Sequence, residues 1–213
     1  MKFSGVVAGI STLILLIFYG MVIFAGEIGS FTVHVPEDSK GGNIALSENP
    51  EFDKSYNKLF ADPIDEMDNT SEEYIPDDLD SDIYYGSHNG FAYIAYTFYV
   101  KNVSESTISY KASIDIEEVV LNVDDAVRIK VYHNGIATTY AKPQKDSLES
   151  EPNTTPFYSS KQVMCIQRDD FTSNEIDKFT VVIWLEGNDP ECTDKIKGGK
   201  IKFSMNFIIN QKK

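Results

Sequence analysis

Asp78, Asp80 and Asp82 stand at alternate positions, like the opening of a loop whose carboxylates converge on calcium. The EF-hand form of that loop needs Gly at its sixth position and Glu at its twelfth; Ile83 and Asn89 stand there instead. A looser calcium site is one expectation, because clustered carboxylates repel unless a cation or water screens them. A solvated acidic loop is the plainer one. No other cofactor is implied, since three His and two Cys leave too few ligands for a structural zinc.

Cys165 and Cys192 are the only cysteines, with 26 residues between them. Outside the cytoplasm such a pair can form a disulfide, and closing a loop of that size stabilises by roughly 3–4 kcal/mol. Two separate thiols, one buried and one exposed, is the alternative. Tyr84, Tyr85, Tyr93 and Tyr96 would stack on sugar rings if they shared an open face; sheet core and cross-strand pairing is the competing use. His34, His88 and His133 have polar neighbours and read as surface residues. His-Glu-x-x-His, Gly-x-Ser-x-Gly, Walker A and Gly-x-Gly-x-x-Gly are all absent from the sequence. Carboxylates are plentiful, but a glycosidase needs two of them facing across a cleft. The sequons at Asn69, Asn102 and Asn153 matter only in a glycosylating pathway.

The elements that must position these residues begin with a membrane segment. From Phe3 to Gly26 there is no charge over 24 residues, enough for a helix of about 36 Å against a hydrocarbon core of about 30 Å. Lys2 is the one charge before it, so the positive-inside rule leaves the N-terminus in the cytoplasm and residues 27–213 outside. A cleaved signal peptide is the competing reading, but its apolar region is usually 7–15 residues, and Ile23 spoils a small-x-small cleavage site before Gly26. The chain of 213 residues carries a net charge of −14, which argues against a nucleic-acid binder, since that needs a basic face. Acid is concentrated between Glu48 and Asp82, with 13 acidic residues against two Lys. With Pro50, Pro63 and Pro76, this marks an acidic insertion at about 48–90, opening on a short helix from Asn49-Pro50 toward Leu59-Phe60.

Elsewhere the apolar residues alternate, the signature of strands. Phe31, Val33 and Val35 alternate with polar residues; so do Ile108 to Ile116, Val127 to Val131 and Ile201 to Phe207. Phe91 to Val100 and Phe179 to Leu185 are apolar on both faces. Asn134-Gly135 between two such runs predicts a two-residue hairpin. Seven to nine short strands and almost no helix predict an all-β, two-sheet sandwich of Ig-like or jelly-roll, Greek-key type over residues 27–213, preceded by one N-terminal transmembrane helix over residues 1–26.

With that anchor, the stretches FAYIAYTFYVKN (91–102), VVIWLEGNDPEC (181–192) and GGKIKFSMNF (198–207) resemble a group of membrane-anchored extracytoplasmic β-sandwich proteins of Gram-positive bacteria. More distantly, the Phe-Tyr-Val-Lys-Asn strand and its polar turn are similar to camelysin and the TasA biofilm-fibre proteins. The resemblance implies a jelly-roll or Ig-like fold, and fibres built by donating an N-terminal strand. It carries over no site residue, and the absent zinc ligands leave out camelysin's reputed protease activity.

The expectation is therefore a non-enzymatic surface protein, membrane-anchored or secreted, engaged in cell-envelope or matrix interactions. A carbohydrate- or protein-binding module and an extracytoplasmic hydrolase are the alternatives. The expected partners are the membrane through residues 3–26 and a protein or polysaccharide at the cell surface, with no nucleic acid. Self-assembly is expected if cleavage near Ala25-Gly26 frees strand 31–35 to pair with a neighbour's sheet edge.

Overall fold

The computed structural model describes residues 29–36, 43–64 and 66–210. Among these there is no α-helix, and none long and apolar enough to cross a membrane; residues 3–26 lie outside the described residues. Twelve strands form two sheets. The first holds β10 (Gln162–Phe171), β6 (Ile108–Val120), β12 (Lys200–Asn210), β1 (Gly29–His34) and β3 (Lys58–Phe60), in that order. The second runs β2 (Ile44–Ser47), β5 (Tyr93–Asn102), β11 (Ile176–Leu185), β7 (Val127–His133), β8 (Ile136–Ala141) and β9 (Thr155–Pro156), with β4 (Gly86–Ser87) also on β5. Both sheets are mixed, since β1 runs parallel to β12 and β8 parallel to β9.

The period-two pattern places one set of side chains between the sheets. Phe31, Val33, Tyr110, Ile114, Phe203 and Phe207 meet Ile94, Tyr96, Phe98, Phe179 and Ile183 in one buried cluster. Phe98 stacks on Phe179 with ring centroids 5.5 Å apart, and Phe207 stands edge-on to both. Each such ring contributes about 1.5–3 kcal/mol by leaving water. Asn134 and Gly135 both take positive φ, 50° and 82°, as the tight turn between β7 and β8 requires.

β5 and β11 are buried on their other face too. There Ala95, Val182 and Trp184 pack against Ile75 and Leu79. The acidic insertion is thus partly a cover, applying two apolar residues to the outside of the second sheet. Its predicted opening helix is not formed. Residues 49–52 make a turn, with Phe52 at φ 55°. Tyr56 then exchanges backbone hydrogen bonds with Leu46 of β2, and β3 follows. Sheet pairing takes the donors and acceptors that a helix would have used internally.

The strand directions define two ends. β1 starts where a Cβ on Gly29 would lie 3.1 Å from Ile94 Cδ1. At this near end β6, β8 and β11 finish and β5, β7 and β12 begin. At the far end β1, β5, β7, β12 finish and β6, β11 begin.

Candidate functional site

Three connections meet at the near end: residues 121–126, 142–154 and 186–199. Each brings carboxylates that a cation from another element neutralises. Arg128, near the start of β7, is buried and reaches sideways. Its Nη2 donates to Asp189 Oδ2 at 2.6 Å and lies 3.4 Å from Glu151 Oε2, with both carboxylates also buried. Lys142 Nζ donates to Asp124 Oδ2 at 2.6 Å and to Asp125 Oδ1 at 2.7 Å. Lys145 pairs with the other Asp125 oxygen. Burial would raise the Asp125 carboxyl, but the hydrogen bonds from Lys142 and Lys145 hold it below its usual value.

Glu151, Asp189 and Glu191 each bring a carboxylate oxygen within 4.8 Å of the others. The hydrogen bond with Asp189 pushes the Glu191 carboxyl up. Such a trio can hold a hard cation, but here the Arg128 guanidinium already supplies positive charge to two of the three. The network ties the three connections to β7 and fixes their relative positions. A close backbone approach occurs at Gly199, where a Cβ would lie 2.8 Å from Ile196 O and 2.9 Å from Val120 O.

Beside the network a cleft of about 700 Å³ is lined by Asp68, Asn69, Cys192, Thr193, Asp194 and Lys197 among others. Asn69 Nδ2 lies 3.4 Å from Cys192 Sγ. Cys165 is elsewhere, in the middle of β10 opposite Ser113. Both thiols are free, so the expected Cys165–Cys192 disulfide is not formed. One cysteine belongs to an edge strand of the first sheet, the other to the connection leaving β11 of the second.

Nor do the other predicted residues gather. Asp80 and Asp82 share Lys178: its Nζ is 2.9 Å from Asp82 Oδ1 and 3.6 Å from Asp80 Oδ1. Asp80 Oδ1 also accepts from Thr180 Oγ1 at 2.6 Å, while Asp78 is exposed. The four tyrosines share no face. Tyr96 is fully buried and donates to Glu48 Oε1 at 2.7 Å; burial first, then Glu48, pushes its phenol up. Tyr93 packs on the Trp184 cluster, Tyr84 stacks on His88 at 4.6 Å, and Tyr85 is 47% exposed near Tyr99.

At the far end is a polar cluster that no motif announces. Asp177, second residue of β11, is 1% exposed. Its carboxylate accepts from Tyr110 Oη at 2.5 Å, Asn134 Nδ2 at 2.8 Å and Arg168 Nε at 3.2 Å. His133 Nε2 lies 3.5 Å away, its ring stacked on Phe179. Burial opposes the charged carboxylate, but the neighbouring His133 ring and the hydrogen bonds from Tyr110 and Asn134 outweigh it and hold Asp177 at about 2. Tyr110 and Arg168 come from the first sheet, the others from the second, so the cluster clasps the two layers. Its sequence signal is an Asp at an inward position of a strand whose other inward residues, Phe179, Val181, Ile183 and Leu185, are apolar.

No protein-family model and no curated protein matches the chain. Among solved structures it is similar to the β-glucosidase of Kluyveromyces marxianus in complex with glucose (10% identity, TM-score 0.27, 83% of this chain and 17% of that one). It is also similar to the GH31 α-xylosidase of Xanthomonas citri (11% identity, TM-score 0.25, again 83% and 17%). The chain thus covers about a sixth of these enzymes' length, and likeness at this level assigns no activity.

Proposed function

We propose that the chain is a non-enzymatic cell-surface protein, tethered by residues 3–26 with the sandwich outside the membrane, acting in envelope or matrix contacts with a protein or polysaccharide partner. The observation that carries this reading is the position of β1. It begins at Gly29, three residues after the uncharged segment ends at Gly26, and lies between β12 and β3 with Phe31 and Val33 in the core. The first described strand after the tether is thus an interior strand, one in from the edge of its sheet. The internal pairing of the near-end carboxylates supports a role for them in folding. We read the sandwich as a relative of the Ig-like or jelly-roll type within the camelysin- and TasA-like group.

A β1 that pairs on both sides within its own chain serves a tethered monomer. Donation to a neighbour would first require extracting two aromatic or branched core residues. N-terminal sequencing of protein from membranes and from the medium tests the reading. Met1-initiated chains confined to membranes are expected; a released form starting near Glu27 overturns the tether.

A further inference from the structure

We infer that the near end of the sandwich seats on the lipid surface, with Phe91, Leu121 and Leu148 as apolar tips entering the bilayer interface. This rests on the tether proposed above.

The geometry starts from reach. From Gly26 to Gly29 the chain spans no more than about 11 Å, even fully extended. If residues 3–26 cross the bilayer, the end at which β1 starts faces it at that distance. Three connections at that end present large apolar side chains to solvent. Phe91 sits at the tip of the β4–β5 hairpin, which closes with Gly90 N–H donating to Tyr93 O, and is 85% exposed. Leu121 follows the last residue of β6 and is 50% exposed; Leu148, in the connection after β8, is 79% exposed. The strands bearing Phe91 and Leu148 are separated by β11 and β7, and Leu121 belongs to the other sheet. With strands about 4.8 Å and sheets about 10 Å apart, the tips stand on a triangle roughly 10–15 Å on a side.

Backbone conformation adds a second, independent observation. Leu121 and Leu148 both have φ of 59°, a region that Gly and Asn enter easily and a bulky residue enters at a cost. Of the other non-Gly residues with positive φ, Asn122, Asn134, Asn153, Asp170 and Asn174 are of the kinds that tolerate it, and Phe52 is half-buried with its ring beside Lys101. An exposed leucine in that conformation gains nothing from the core to offset the strain, and strain that persists points to use. The loops holding the two leucines are fixed by the ion-pair network: Asp124 and Asp125 follow Leu121, while Lys145 and Glu151 flank Leu148.

Most cations of this end are already neutralised by carboxylates. Lys142, Lys145 and Arg128 are engaged with Asp124, Asp125, Asp189 and Glu151, and Lys197 lies 2.9 Å from Asp194. Amphipathic insertion of apolar tips is the mode this surface fits, so a zwitterionic bilayer suffices.

The experiment uses the full chain in phosphatidylcholine vesicles carrying lipids brominated just below the headgroup. Trp184 stays as a constant background; Phe91→Trp, Leu148→Trp and the far-end control Ile136→Trp each add one fluorophore at an exposed site. The added emission of Phe91→Trp and Leu148→Trp is expected to be quenched at least threefold more than that of Ile136→Trp. Equal quenching at the two ends, in chains that stay with the vesicles through an alkaline wash, overturns the seating and leaves the tether standing. Loss of all three chains in the wash overturns the tether, and the seating with it. Far-UV circular dichroism identical to the parent chain confirms that each variant folds.

Discussion

Arg128 Nη2 and Asp189 Oδ2 stand 2.6 Å apart, 61 residues distant in the chain and both closed off from water. Their pairing holds the connection after β11 against the start of β7. Replacing Arg128 by Met leaves Asp189 and Glu151 buried without their cation. The expected cost is about 3–5 kcal/mol, read as a lower urea midpoint. Arg128→Lys keeps the charge but loses the guanidinium's fork and is expected to fall between the two. A midpoint unchanged in Arg128→Met would show the pair to be unimportant.

The far-end clasp makes stability depend on acid. Asp177 is held at about 2, below the ordinary carboxyl value of 3.8, so folding favours its charged form. That contribution is present in full above about pH 4 and is lost as pH falls toward 2. Asp177→Asn is expected to lower the melting temperature at pH 7 and to flatten this part of the acid-unfolding curve. An Asn variant with the parent's pH profile would contradict the assignment.

The outer cover of the second sheet depends on Lys178 and Thr180. Thr180 Oγ1 is 2.8 Å from Thr97 Oγ1 and donates to Asp80. Lys178→Met should free Asp80 and Asp82 and speed proteolytic cleavage within residues 72–82, with a stability loss of about 1–2 kcal/mol. Millimolar calcium should leave the melting temperature of the parent chain unmoved, because an ammonium already occupies the place between the carboxylates. A calcium-dependent rise would restore a metal reading for Asp80 and Asp82.

Leu121→Asn and Leu148→Asn relieve a strained backbone at exposed positions. Each should raise stability by about 0.5–1 kcal/mol in calorimetry of the detergent-solubilised chain. A loss of stability in either would mean that the leucine contributes packing that its exposure does not reveal.

The strands were legible because their signals are local: β6, β7 and β12 follow from alternation, β5 and β11 from short runs apolar on both faces, and the β7–β8 turn from Asn134-Gly135. The two-faced burial of β11 was legible too, in Val182 and Trp184. What covers it was not, since Ile75 and Leu79 are two apolar residues in an acidic stretch that reads as solvated. The helix expected from Asn49-Pro50 fails because a cap signal is worth little against the Leu46–Tyr56 pairing. The parallel contact of β1 with β12 joins opposite ends of the chain, and no local pattern encodes it. For the same reason the carboxylates of the near end look like surplus charge until folding brings Arg128, Lys142 and Lys145 to them, and the two cysteines look like a pair until the sheets separate them.

A sandwich held outside the cell on a retained tether, as proposed, is open to digestion from outside. Protease added to intact cells tests it directly. Peptides from residues 27–213 are expected to be released while a fragment containing residues 3–26 stays with the membrane. A chain that survives on intact cells and is digested only after lysis would place the sandwich inside and overturn the proposed orientation.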